Sequence, residues 1–236
     1  MPETAMFYSK IVPLDREKHK KLRLREGTDS FGFSAPTHIV PAVMEEFFPA
    51  APHIPIVFMP TASLPVPVFI MGLRVGKNAL VDANGKWLGD YIPAYVRRYP
   101  FIIGEAEGRE PMACIDEDSD LLGKVKGEPL FDAKGQETPI LIERLKLMNF
   151  FFQAAKRNEA FVKALADLSL FQTVNINARF ETGESRSLQG VLTVDAKKLE
   201  ALSAEAFQSL RKQGFVPAIY AHLASLGGID RIRRLS

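Results

Sequence analysis

The sequence predicts an α+β protein, with a mostly antiparallel sheet in its N-terminal portion and a helix-rich C-terminal portion that carries an added β-hairpin. Three observations lead to that class. Short apolar runs punctuated by proline and glycine occupy the first half, as in Pro55–Met59 and Val66–Leu73. From Thr138 onward, apolar residues recur at helical spacing through Ile142, Leu145, Leu147, Met148, Phe151 and Phe152. Between helical stretches, Gln172–Phe180 alternates, with Val174, Ile176, Ala178 and Phe180 on one face, and Ser187–Val194 returns after a turn at Glu181–Ser185.

Taken in order, Met6–Leu14 alternates weakly and reads as a first strand. Asp15–Glu26 is highly charged and reads as an exposed connection. Phe31–Val40 contains Pro36, so it is an edge strand at best. Pro41–Phe48 reads as a short helix, with Pro41 in its first turn and Val43, Met44, Phe47 and Phe48 on one face. Asn78–Trp87 reads as a hairpin around Asn84-Gly85, a pair that supplies the positive φ angles of a type I′ turn. Tyr91–Tyr99 reads as a short helix opened by Pro93 and closed before Pro100. Phe101–Gly104 and Met112–Ile115 read as strands. Thr138 and Pro139 open a long helix to about Lys156, and Asn158 caps a second one carrying Phe161, Val162, Leu165 and Leu168. Asp195 and Ser203 cap two more, Gly214 ends the latter, and Pro217–Leu226 is a final helix before Gly227-Gly228 and a basic tail.

One stretch, Leu80–Lys86, is echoed 50 positions later by Leu130–Gln136. A single echo is no repeat array, and two similar Asp-x-x-Gly turns after strands account for it. No Gly/Ser linker divides the chain, so residues 1–236 read as one continuous unit, with Gly123–Pro129 the only plausible seam.

Composition narrows the function classes. With 30 basic and 28 acidic residues the net charge is +2, which gives no strong field for nucleic acid or an anionic membrane. The basic run Arg231, Arg233, Arg234 is short enough to be a solvated helix end. A lone cysteine, Cys114, forbids an intramolecular disulfide and any cysteine cluster, and it lies in an apolar strand where an inert buried thiol is expected. Ile54–Leu73 is an uncharged stretch of 20 residues, but Pro55, Pro60, Pro65 and Pro67 forbid a membrane helix. The N-terminus carries Glu3 first and its basic residues last, which is not the order of a secretory signal. A cytoplasmic protein is the expectation, with signal-independent export left open.

The segment Val81–Phe101, VDANGKWLGDYIPAYVRRYPF, resembles the signature stretch of the SapC family. So do Pro55–Phe58, Met71–Leu73, Gly76 and Asn78 before it. Ile115–Leu122, Leu130-Phe131-Asp132 with Gly135, and Ile219–Leu226 follow in the order of that family. The resemblance covers nearly the whole chain. It implies a bacterial setting associated with the surface layer, and relatives resemble products of loci with flavin-dependent tryptophan halogenases and TonB-dependent outer-membrane receptors. It supplies no established catalytic residues. An unrelated permease subunit of peptide transport shares the name, and the lack of a membrane helix here excludes that meaning.

The segment Trp87–Phe101 holds the sole Trp and three of the five Tyr residues, beside Arg97 and Arg98. If Pro93–Tyr99 is helical, Tyr91, Tyr95 and Arg98 share a face. Aromatic rings beside guanidinium groups suit capture of a carboxylate or phosphate, so Trp87, Tyr91, Tyr95, Arg97 and Arg98 are the candidate ligand-binding residues. The structural alternative is an arginine paired with Asp90 or Glu105 inside an aromatic packing cluster. His38 and His53 flank Glu45 and Glu46, but no HxH or HExxH spacing exists, so no metal is expected. His222, on an apolar helix, reads as a satisfied histidine. The run Asp116-Glu117-Asp118-Ser119-Asp120 lacks the Glu that an EF-hand needs at its twelfth position, which is Gly127 here, and reads as a solvated turn or an acid-rich helix N-terminus. No GxSxG, Walker A or GxGxxG motif occurs. No cofactor is expected. The expected function is that of an accessory or interaction protein with a protein partner, neither binding nucleic acid nor inserting in a membrane. The alternative is a binder of, or enzyme acting on, a small carboxylate- or phosphate-bearing ligand.

Overall fold

The computed structural model describes residues 6–27, 29–105, 108, 110–179, 183 and 185–236. In chain order the elements are β1 (Ile11–Pro13), α1 (Arg16–His19), β2 (Arg23–Leu24), β3 (Ile39–Pro41), α2 (Met44–Ala50), β4 (Ile56–Met59) and β5 (Val66–Ile70). Then come α3 (Ala94–Arg97), β6 (Phe101–Gly104), β7 (Met112–Asp116), β8 (Leu122–Gly123), β9 (Glu128–Pro129) and α4 (Pro139–Asp167). After them lie β10 (Phe171–Arg179), β11 (Ser185–Val194), α5 (Ala196–Glu200), α6 (Ala204–Lys212), α7 (Val216–Ser225) and α8 (Ile229–Leu235). The fold is α+β, with antiparallel strands mostly early and helices mostly late, as the sequence predicts.

Two compact units share the chain: residues 1–34, 81–87 and 94–152 form the first, and residues 35–80, 88–93 and 153–236 the second. Residues 123–129 lie wholly inside the first unit. That unit holds two three-stranded sheets, β1-β7-β6 and β8-β2-β9. Its core is Leu24, Tyr99, Phe101, Ile115, Leu121, Leu130, Phe131, Ile140, Leu141 and Met148. The second unit is built on one five-stranded sheet, β10-β11-β4-β5-β3. Phe58 of β4 anchors its core, with ring centroids 5.0 Å from both Phe171 and His222, 6.2 Å from Phe161 and 6.4 Å from Phe47. Such offset and edge-on contacts add to the burial of the rings themselves.

Several elements differ from the sequence reading, each for a local reason. Asp15–Glu26 is mostly exposed as read but is more than a connection, because Asp15 caps α1 by accepting from Lys18 N at 2.7 Å, and His19 and Leu24 are buried. The strand read at Met6–Leu14 shrinks to β1. Pro41 closes β3 instead of opening a helix, and α2 begins at Met44. The two helices read on either side of Lys156 are one helix of 29 residues. Asn158 caps nothing in its own helix. Its Oδ1 accepts from Met44 N at 2.9 Å and its Nδ2 donates to Ala42 O at 2.7 Å, so its amide serves the uncapped start of α2. The basic tail is helical as α8, with Ile232 fully buried. Of the turn read at Glu181–Ser185, residues 181, 182 and 184 lie outside the described residues, as does Phe180.

The echoed stretches fold into the same turn. Asp82 N donates to Lys86 O and Gly85 N to Asp82 O, while Asp82 Oδ1 accepts from Asn84 N and Lys86 N at 2.8 and 2.9 Å. Asp132 does the same with Gln136, Gly135 and Lys134. Gly85 has φ +81° and Gly135 φ +76°, whereas Asn84 is not left-handed. The type I′ turn read at Asn84-Gly85 is therefore replaced by a type I turn closed by a left-handed glycine, because the Asp side chain holds the residues after it. The copies differ in surroundings. A Cβ on Gly85 would meet Asp29 O at 2.9 Å and Gly32 N at 3.1 Å, while one on Gly135 would meet only the flexible Arg16 side chain at 3.4 Å. Gly85→Ala is expected to cost about 3 kcal/mol and Gly135→Ala about 1 kcal/mol, measured by urea unfolding, since both strain φ but only the first pushes on backbone.

Candidate functional site

The aromatic and arginine-rich segment divides between the two units. Trp87, 7% exposed, bridges to Val81 across the first echoed turn and sets its ring edge-on to Phe31 at 5.6 Å. Tyr91 belongs to the second unit, where its hydroxyl donates to Glu46 Oε1 at 2.6 Å beside Phe69. The shared face expected for Tyr91, Tyr95 and Arg98 does not form, because α3 is a single turn that starts three residues after Tyr91. Tyr95 and Arg98 do meet. The Arg98 guanidinium lies 4.2 Å from the Tyr95 ring centroid and 4.3 Å from that of Phe151, and the residue is 3% exposed. Phe7 packs edge-on against Tyr95 at 5.4 Å. Arg97 is half-buried, and its carbonyl accepts from Arg144 Nη1 at 2.8 Å. Arg144 in turn pairs with Glu26. Asp90, the partner weighed for these arginines, pairs instead with Arg231 at 3.3 Å and faces His53 at 3.6 Å.

Tyr99 joins this segment to the acidic turn. That turn is solvated only in part, since Asp118 and Asp120 are exposed while Asp116 has no exposed surface. Its carboxylate accepts from Lys10 N at 2.8 Å, Ser9 N at 3.0 Å, Tyr99 Oη at 3.2 Å and Asp118 N at 3.3 Å. Burial, partly opposed by a hydrogen bond with Ser119 and reinforced by Asp116, pushes the Tyr99 phenol up to about 12. Next to Asp116, Glu117 meets Lys18 Nζ at 2.5 Å, His19 Nε2 at 3.0 Å and Lys10 Nζ at 3.1 Å. These partners, Lys18 foremost, hold its carboxyl down to about 2. Glu117 is therefore an anion throughout the neutral range, and the pairing is lost only as pH falls toward 2.

The histidines of these networks are fully engaged. The Asp15 amide donates to His19 Nδ1 at 2.9 Å, so the ring proton sits on Nε2 and goes to Glu117. No lone pair remains to take a proton from a substrate. His222, with no exposed surface, donates from Nδ1 to Ile56 O and accepts from Val194 N, both at 3.0 Å, thereby stitching α7 to β4 and β11. Burial lowers its pKa to about 4, against the opposing pull of Ile56 O. Below about pH 6.5 the unfolded chain takes up a proton that the fold refuses. Stability is expected to fall by about 3 kcal/mol between pH 6.5 and 4 from this residue alone, and His222→Gln is expected to flatten that slope in acid-range urea melts.

Among the described residues, no group of three or more His, Cys, Asp or Glu is arranged to hold a metal ion. Glu45 pairs with Arg157 at 2.8 Å. A shallow concavity of about 290 Å³ lies in the first unit, lined by Arg25 and residues 120–126. Sequence reasoning passed over Lys10, Lys18 and His19, whose one readable signal is Asp15 three residues before Lys18, a helix-cap spacing.

The chain is thus an α+β protein in which Trp87, Tyr95, Arg98, Tyr99 and Asp116 are buried in packing and hydrogen bonds. The family model for SapC matches residues 14–232, so the chain belongs to the SapC family. No curated protein matches the chain, and no solved structure does. Among the described residues, no helix is long and apolar enough to cross a membrane.

Proposed function

We propose that this SapC protein is an accessory protein that works by docking another protein, in a bacterial surface-layer or outer-membrane-uptake setting. One observation carries the reading. Large aromatic side chains stand exposed on two helices packed together in the second unit: Phe48 of α2 is 78% exposed and Tyr220 of α7 53%. Exposed aromatic rings on rigid helices are the residue type that anchors protein interfaces. By contrast, the histidines of the polar networks are held by backbone and carboxylate partners, which suits a scaffold. A cytoplasmic location belongs to the same proposal.

The other reading places a carboxylate- or phosphate-bearing ligand at Trp87, Tyr91, Tyr95, Arg97 and Arg98. The half-buried Tyr91 and Arg97 are the members of that set with surface to offer, while the guanidinium of Arg98 is covered by Tyr95 and Phe151. The test of the docking reading is the mass of the native complex in extracts of the source cell. The chain is expected in a particle heavier than the purified protein, and Phe48→Asp with Tyr220→Asp is expected to return it to the purified mass with an unchanged circular dichroism spectrum. An identical mass in extract and in purified form would count against docking.

A further inference from the structure

β10 is an outer strand of the five-stranded sheet and pairs with β11. The next strand inward, β4, has four residues and meets β11 at Leu192 opposite Phe58. The ribbon of β10 and β11 therefore continues past the sheet, and a two-stranded ribbon is marginal in water without a third strand. Natural edge strands are blunted by charge, proline, a bulge or a cover. Among the described residues the cover stops early: Lys198 Nζ donates to Ser169 O at 3.0 Å and Phe171 O at 3.3 Å. From Gln172 to Asn177 there is neither charge nor proline.

The bulge lies on the wrong strand to protect this edge. Gln189 and Gly190 of β11 stand opposite the single Asn175, Gly190 has φ +70°, and its N–H donates to Asn175 Oδ1 at 2.9 Å. β10 itself runs through regularly. Asp195 N donates to Leu170 O at 2.8 Å, so the even-numbered residues that follow bond inward. Alternation then turns the backbone groups of Thr173, Asn175 and Asn177 outward. All three residues are exposed.

We propose that a second copy of this chain docks here, β10 against β10, antiparallel about a two-fold axis through Asn175. In that register Asn175 faces its own counterpart, and Thr173 of each copy faces Asn177 of the other. Every outward N–H and C=O on those residues finds a partner, and the facing side chains are uncharged and polar, so no like charges oppose. The interface is isologous and closed, which uses the β10 edge of both copies.

The experiment is sedimentation equilibrium of the full chain, up to its highest soluble concentration. The wild-type protein is expected at twice its 26.3 kDa chain mass. Thr173→Lys with Asn177→Lys sets lysine against lysine twice and is expected to raise the dissociation constant at least about tenfold. Thr173→Lys with Asn177→Glu sets lysine against glutamate in the same register and is expected to restore the dimer. Circular dichroism and melting temperature of both variants are expected to match wild type, since the sites are exposed. A wild-type chain that stays monomeric, a double-lysine variant that dimerises like wild type, or a lysine–glutamate variant no tighter than the double-lysine one would each overturn the proposal.

Discussion

Asp116→Ala is expected to lower the free energy of unfolding by about 3 kcal/mol. The carboxylate has no exposed surface and gathers the amides of Ser9 and Lys10 with the phenol of Tyr99. Removing it strands four donors at once, the Asp118 amide being the fourth. Two of these are backbone groups that hold the segment before β1 against the turn after β7, and water can reach them once that segment lifts, which keeps the cost below the full sum. The Tyr99 hydroxyl is buried and has less recourse. Asp116→Asn is expected to cost roughly half as much, because one oxygen still accepts while the new amide faces a donor. Urea unfolding followed by circular dichroism measures both. A loss below about 1 kcal/mol for the alanine variant would mean that the N-terminal segment is held by its apolar contacts alone.

Asn158→Ala carries a comparable penalty, about 3 kcal/mol, for a different reason. Its amide reads two backbone groups of another element, Ala42 O and Met44 N, and the residue is 8% exposed. Val43 supplies no side-chain cap to α2, so the lost amide leaves a buried N–H and a buried C=O without partners. Asn158→Asp is expected to be nearly as damaging, since a carboxylate cannot donate to Ala42 O. Chemical denaturation is again the measurement. Because α2 carries Phe48, both variants are also expected to weaken the proposed docking face.

How much of this was legible in the sequence depended on the range of the interaction. Asp195 and Ser203 cap α5 and α6 as read, because a cap and its helix lie within three residues. β4 and β5 fall where proline-bounded apolar runs placed them. Asn158 misled for the same local logic: asparagine is a good cap, but its partners lie more than a hundred residues earlier in the chain. Asn84-Gly85 suggested a two-residue hairpin, yet Asp82, two residues before the pair, chose the turn. The acidic turn looked solvated because acids usually are. Nothing local shows that Ser9, Lys10 and Tyr99 converge on Asp116. Of the candidate site, the sequence placed Tyr95 and Arg98 one helical turn apart and they do touch. It missed Phe151, which covers the other side of Arg98, since that contact comes from a helix begun some 40 residues later.

The central claim is that this chain acts through its outer aromatic helices and not through the arginine segment. Site-specific photo-cross-linking in the source cell compares the two most directly. With the photoreactive residue at Phe48 or at Tyr220, one discrete adduct heavier than a self-adduct is expected, and at Arg97 none. An adduct at Arg97 with none at Phe48 or Tyr220 would contradict the account.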